Sequence, residues 1–122
     1  MDTEEIAREA ARAVEQLPKM FRRQLHNVTI VVEKKAAASR LRALGLDPKR
    51  DVLYGLYEGV PLSHRSHFNP PLLPDKITIF CEPLMQDFPD PDERRRQIHR
   101  TVIHEIAHYF GMDDDEIEDL GY

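Results

Sequence analysis

Apolar residues recur at helical spacing in two stretches of the chain, one near its start and one near its end. In residues 3–17 they form a single face, which predicts an amphipathic helix that Pro18 ends or bends, with a further turn over residues 20–25. Ala36–Leu44 is compatible with a short helix or with a loop. Over residues 98–110 the spacing predicts a longer helix with one buried stripe. The stripe consists of Ile98, Val102, Ile106 and Phe110, with Ile103 and Ala107 beside them.

Three other runs have the composition or the alternation of β-strands. Val28–Val32 is β-branched, Val52–Tyr57 is apolar with a glycine inside it, and Lys76–Cys81 alternates polar and apolar residues. The order is therefore helix, three strands, helix. It predicts a single α+β domain over residues 1–122, in which a small twisted sheet carries helices packed on one face.

The start of the long helix is marked by its capping residues. Asp90 is a good N-cap, Pro91 suits the first helical position, and Glu93 completes the pattern of a capping box. These signals predict that the residues which follow, including a histidine-containing motif, are helical.

That motif contains two histidines four residues apart, so both lie on one face of the helix. Imidazoles placed like His104 and His108 can bind one metal ion, and Glu105 beside them is a candidate general base. All three residues lie off the apolar stripe and are expected to face a cleft. The alternative is a pair of surface or core histidines that bind nothing.

A third metal ligand is predicted just beyond the helix. Gly111 can adopt the left-handed conformation that ends a helix, and the chain then turns back so that Asp114 approaches the two imidazoles. Asp113 and Asp115 compete for this role, and an acidic run is often simply solvated. Two imidazoles and a carboxylate suit one Zn²⁺ with a fourth position open for catalysis, while manganese, cobalt or iron are also compatible.

The least regular segment is Val60–Pro74, which is rich in proline. One interpretation makes it a wall of the substrate cleft, where His64, Arg65 or His67 supplies a proton donor or an anion contact. The other interpretation is a plain surface connection.

Composition narrows the class of protein. A formal net charge of −5 disfavours a nucleic-acid partner, and the arginines at positions 94, 95, 96 and 100 are expected on the solvent face of the long helix. Cys81 is the one cysteine, which predicts a buried inert thiol without a disulfide. The N-terminus lacks the pattern of a signal peptide and no run reaches transmembrane length, so a cytoplasmic protein without membrane association is expected.

The run from His104 to Asp114 reads H-E-x-x-H-x-x-G-x-x-D and resembles the small zincin-like metallopeptidases, or mini-zincins, of the Asp-zincin type. Residues 53–62 and 73–80 resemble the middle segments of that family. The resemblance implies a minimal zincin fold, zinc held by His104, His108 and Asp114, and a catalytic Glu105. No methionine follows Met112, so the Met-containing turn of larger relatives is missing. Packing by Leu120 or Tyr122, or a hydrogen bond from Tyr122, is expected to take its place.

Three functions fit these residues. The first is hydrolysis of a peptide or protein substrate whose backbone pairs with an edge of the sheet. The second is a binding or regulatory module on a zincin scaffold with weak hydrolysis or none. The third is a metal-dependent endoribonuclease, which Glu105, Asp114 and the acidic balance disfavour. The oligomeric state stays open.

Overall fold

A computed structural model describes residues 3–25, 28–59 and 75–121. These residues form six helices and three strands. In chain order they are α1 (Thr3–Glu15), α2 (Lys19–Arg22), β1 (Val28–Glu33), α3 (Ala38–Ala43), β2 (Gly55–Glu58), β3 (Asp75–Phe80), α4 (Cys81–Asp87), α5 (Pro91–Tyr109) and α6 (Asp114–Asp119). Ala36–Leu44 is thus a short helix rather than a loop. No helix in this part of the chain has the length and apolar character that a membrane span needs.

The strands form one mixed sheet in the order β1-β3-β2. β1 runs parallel to β3, with Val28 opposite Asp75, and β2 runs antiparallel to β3, with Gly55 opposite Ile79. The central strand β3 is almost entirely buried, whereas β1 and β2 are the edge strands of the sheet formed by the described residues. The sheet and its helices confirm the predicted α+β class.

The hydrophobic core lies between the sheet and helices α1 and α5. α1 contacts β1 and α5, while α5 also contacts β2 and β3. Ile77 and Ile79 are two residues apart along β3, so their side chains point to the same face of the sheet. On that face they belong to one buried cluster with residues of α1 and α5. The core residues are Ile6, Ala10, Ala13, Ile77, Ile79, Cys81, Leu84, Ile98, Val102 and Ile106. The predicted stripe of α5 is therefore the face that packs on the sheet, and Cys81 is buried as expected.

Two strand boundaries and two helices differ from the sequence predictions. β2 begins at Gly55, and Val52 is 53% exposed, so the apolar character of residues 52–54 does not extend the strand. β3 ends at Phe80 because Cys81 already starts α4, where the N–H of Glu82 donates to the carbonyl of Lys34. The alternating pattern of β3 hides this change of direction. Neither α4 nor α6 was predicted.

The first turn of α5 confirms one prediction and corrects another. The Asp90 side chain caps the helix by accepting a hydrogen bond from the N–H of Glu93. Arg94 was expected on the solvent face, and this is wrong, since its side chain is buried and donates to the carbonyls of Phe88 and Pro89. Its guanidinium thereby supplies hydrogen bonds to two backbone carbonyls in the turn between α4 and α5, which would otherwise lack these donors. Arg95 is exposed and pairs with Asp92, as expected.

A polar contact joins α1 to α5 beside the core. Glu9 on α1 is buried, one of its carboxylate oxygens accepts from Arg12, and the other lies 3.0 Å from Nε2 of His99 on α5. A buried carboxylate is costly unless it is paired, and here both oxygens have partners. The contact fixes the register of the two helices that cover the sheet.

Tyr54, just before β2, is tied to the end of α4. Its hydroxyl donates to Oδ2 of Asp87 at 2.6 Å, and its ring packs edge-on against Phe88. Burial, the hydrogen bond and the negative charge of Asp87 together raise the pKa of Tyr54 from 10.0 to about 12. All three effects oppose formation of the phenolate.

We expect a tyrosinate absorbance titration of the folded protein to contain a component at about 12 that Tyr54→Phe removes. An unfolded tyrosine titrates near 10, so the unfolded chain loses this proton first. The stability that the contact supplies is therefore fully present below pH 10 and is lost as the pH rises toward 12. Asp87→Asn should lower the component toward 10, because it removes the adjacent charge. A single titration near 10 for every tyrosine would contradict the assignment.

Candidate metal centre

The end of α5 turns the chain back toward its own last turn. Gly111 has φ 91°, its N–H donates to the carbonyl of His108, and the N–H of Met112 donates to the carbonyl of Ala107. These two bonds are those of a Schellman motif, which a left-handed glycine allows at little cost. Gly111 thus has the helix-ending role that the sequence predicts.

The next residues form α6 rather than a solvated tail. Asp113 caps this helix, since its side chain accepts from the N–H of Glu116 while the Glu116 side chain accepts from the N–H of Asp113. Ile117, the one apolar residue of the helix, is buried and contributes to anchoring it. Asp113 is therefore engaged as a cap, and Asp114 becomes the first helical residue beside the imidazoles.

Three donor atoms converge at this place. Oδ1 of Asp114 lies 3.3 Å from Nε2 of His104 and 3.1 Å from Nε2 of His108. The donor atoms of His104, Glu105 and His108 all lie within 4.8 Å of one another. Ligands about 2.0–2.1 Å from a tetrahedral zinc ion are separated by about 3.3 Å from each other. The spacing and the donor types therefore fit a zinc ion held by two imidazoles and a carboxylate.

A backbone carbonyl fixes the orientation of one imidazole. Nδ1 of His108 lies 3.2 Å from the carbonyl oxygen of Met112. Because a carbonyl can only accept, this contact suits the tautomer with the proton on Nδ1, which is the one that leaves the Nε2 lone pair for a metal ion. In many metal sites a histidine ligand is oriented by a hydrogen bond from the ring nitrogen that does not bind the metal. The turn after Gly111 thus both returns Asp114 and orients His108.

Glu105 lies in the wall of the site and is held by the neighbouring strand. Its side chain is buried, and Oε1 accepts a hydrogen bond from the backbone N–H of Tyr57 at 2.9 Å. Burial raises the pKa of the Glu105 carboxyl, against the opposing effects of His108, His104 and the Tyr57 N–H, while Asp114 raises it further. The carboxyl is consequently a better proton acceptor than an exposed one.

The approach of α5 to β2 depends on a glycine. A Cβ atom at Gly55 would lie 2.6 Å from Cγ2 of Thr101 and 3.2 Å from Cγ of Glu105. The sequence shows a glycine within this predicted strand, and its role follows only from this contact. Glycine inside a strand often marks a close approach of another element, and this was the available signal. The Tyr57 amide gave no signal, because every residue other than proline has one.

A cavity of about 400 Å³ opens beside these residues. One wall is the segment Val52–Gly55, and the other is the face of α5 that carries Gln97, Arg100 and Thr101, with His104 and Glu105 at its end. His104 and Glu105 thus face a cleft as predicted, whereas His108 is not among the residues that line it.

Some predicted site residues lie outside the described part of the chain, and one prediction is wrong. His64 and His67, with the rest of residues 60–74, and Tyr122 lie outside the described residues. The expectation that Leu120 packs beneath the site is wrong, since it is 63% exposed. Ile117, three residues earlier, is the buried residue of α6, because the helix turns that position inward.

Comparisons with known proteins identify the family and the fold of this chain. The sequence profile of the zincin-like metallopeptidases matches residues 25–122, and the chain belongs to this family. A solved structure of a conserved hypothetical protein from Thermo thermophilus has the same fold, with a TM-score of 0.59 and 21% identity over 98% of this chain and 97% of that chain. No curated protein matches with significance. Family membership implies a zinc cofactor.

We expect Gly55→Ala to lower the free energy of unfolding by about 1–3 kcal/mol, the usual cost of overpacking. The added methyl group pushes α5 from β2 and lengthens the bond between Glu105 and the Tyr57 amide. Chemical denaturation measures the first effect, and faster hydrogen exchange of the Tyr57 amide measures the second.

The matched control removes the methyl group that the new side chain would meet. Thr101→Ser deletes Cγ2 but keeps the hydroxyl that accepts from Gln97. The double variant should therefore recover part of the lost stability and of the amide protection. Unchanged stability in Gly55→Ala alone would show that the helix tolerates a wider separation.

Proposed function

We propose that this protein is a zinc-dependent peptidase in which His104, His108 and Asp114 hold the metal and Glu105 is the general base. The observation that carries the proposal is the approach of one Asp114 oxygen to both imidazole Nε2 atoms, 3.3 and 3.1 Å away, beside a buried glutamate. Such a set leaves one coordination position open, as catalytic zinc sites do. When bound, zinc lowers the pKa of a coordinated water and polarises the carbonyl of the substrate.

Glu105 is assigned to proton transfer rather than to metal binding. Its Oε1 is already held by the Tyr57 N–H, which fixes the carboxylate at the wall of the cleft. Its other oxygen is then available to accept a proton from the attacking water and to pass it to the leaving nitrogen. The burial that raises its pKa favours the protonated form which this transfer requires.

The substrate backbone is proposed to lie along β2, the edge strand that borders the cleft. The carbonyl of Tyr54 accepts from the N–H of Phe80, so Tyr54 faces β3. Backbone groups alternate in direction along a strand, and those of Gly55 and Tyr57 therefore face away from the sheet. The Tyr57 N–H is bonded to Glu105, which leaves Gly55 to pair with an extended peptide beside the site.

Metal binding provides the first test. Purified protein should hold one zinc ion, and Asp114→Asn and His108→Ala should each weaken zinc binding by more than about 100-fold, since loss of a direct ligand costs more than loss of a supporting contact. Asp115→Asn is the matched control, with the same chemistry one residue away, and should keep the affinity. Equal weakening by Asp114→Asn and Asp115→Asn would contradict the ligand assignment.

Catalysis is tested with Glu105→Gln, which keeps the size of the side chain and removes its basicity. We expect unchanged zinc content and a loss of peptide hydrolysis of about 100- to 10,000-fold, the usual contribution of a general base. Cleavage of an unfolded protein followed by mass spectrometry provides the assay. Stoichiometric zinc without cleavage of any peptide in the wild type would favour the binding module over the enzyme.

A further inference from the structure

We propose that the cleft selects peptides carrying carboxylate groups and that Arg100 is the residue that recognises them. This inference rests on the proposed peptidase function, because it assigns a substrate class to the same cleft. It starts from the position of Arg100 on α5, one helical turn before His104.

Arg100 lies between two cavities. It lines the cavity of about 400 Å³ that ends at His104 and Glu105. It also lines a second cavity of about 530 Å³, whose wall includes Ile103 and Gly121. A peptide that leaves the metal centre along α5 toward its N-terminus therefore passes this side chain.

The guanidinium of Arg100 keeps most of its hydrogen-bonding capacity. It donates one bond, from Nη2 to the carbonyl of Gly121 at 3.1 Å, and forms no ion pair with the described part of the chain. Arg94 and Arg95 differ, since Arg94 is buried on backbone carbonyls and Arg95 pairs with Asp92. A guanidinium has five N–H donors in a planar fork that matches a carboxylate. Arg100 thus has donors to spare, and among the described residues it is the arginine that lines the cavity ending at His104 and Glu105.

The second cavity adds arginine side chains around the same point. Arg96 and Arg95, the latter paired with Asp92, line it together with Arg100, and the side chain of Ile103 supplies an apolar surface. Among the described residues that line it, Glu9 is the acidic one, and it is already engaged by Arg12 and His99. The chain as a whole carries a net charge of −5, so this basic patch is a local exception.

The patch fits an acidic peptide better than a nucleic acid. The chain carries a net charge of −5, which disfavours a long polyanion, whereas a peptide with one or two carboxylates needs only a local cationic contact such as Arg100. Arg100 also lines the first cavity together with His104 and Glu105 of the centre proposed to hydrolyse peptides, which supplies the occupant. The carboxylate is either an acidic side chain or the free C-terminus of the substrate.

The test measures binding with the zinc-loaded full chain carrying Glu105→Gln, so that no peptide is cleaved. Fluorescence anisotropy would compare three labelled peptides of one sequence: an amidated form with two glutamates, an amidated form with glutamines in their place, and the glutamine form with a free C-terminus. We expect either carboxylate-bearing peptide to bind about three- to tenfold more tightly than the neutral one, as a partly exposed ion pair allows. Which of the two does so identifies the source of the carboxylate.

Arg100→Gln should abolish this preference without changing the affinity for the neutral peptide. Arg8→Gln is the matched control, because Arg8 is an exposed arginine on α1 that lines neither cavity. Equal affinity for all three peptides, an equal effect of both variants, or tighter binding of a single-stranded oligonucleotide than of the acidic peptide would each overturn the proposal.

The outcomes separate this inference from the function on which it rests. If the wild-type protein never cleaves peptides but binds them with an Arg100-dependent preference, the carboxylate recognition is supported and the peptidase function is contradicted. If it cleaves peptides equally well with and without carboxylates, the peptidase function is supported and the recognition is contradicted.

Discussion

The close packing of α5 against β2 is the constraint on which the candidate site depends. Gly55 has no side chain, so Thr101 and Glu105 approach the strand closely enough for the Glu105 carboxylate to accept the Tyr57 N–H. That bond holds a buried acid at the edge of the cleft and satisfies a backbone group that faces away from the sheet. A wider helix–strand separation would leave both groups without this partner, at the cost that unpaired buried polar groups carry.

The second constraint is the left-handed turn at Gly111. By ending α5 after His108 it orients that imidazole through the carbonyl of Met112 and returns Asp114 to the helix it follows. The short helix α6 then holds Asp114 in place through the cap at Asp113 and the buried Ile117. The three proposed metal ligands are thereby brought together from one short stretch of the chain, with little supporting structure.

The distribution of charge along α5 divides the helix by function. Arg94 is buried and donates to backbone carbonyls of the turn that precedes the helix. Arg96 and Arg100 lie on the side of the helix that borders the cavities. The same helix therefore carries two of the proposed metal ligands, His104 and His108, near its end and a basic surface before them. A substrate lying along this helix would meet both, which links the chemistry of the centre to the selection of what reaches it.

Local signals in the sequence determined the main helices, the histidine-containing motif and the fold class of this protein. Helix geometry fixes the relation between residues that are close together in the sequence, so several features can be predicted from short stretches. These features are the placement of His104 and His108 on one face, the cap at Asp90, the apolar stripe of α5 and the helix end at Gly111. The α+β class followed in the same way from the periodicity of the strands. The zincin-like resemblance, which the family profile supports, also rested on one contiguous run.

Tertiary structure decided what depends on contacts between distant segments. The sequence could not show that Cys81 begins a helix, that Arg94 is buried, or that Ile117 anchors an acidic run, because each outcome depends on what packs against the residue. The Tyr57 amide lies 48 residues from Glu105 along the chain. Backbone groups carry no sequence signature, so only the fold could bring this one to the glutamate.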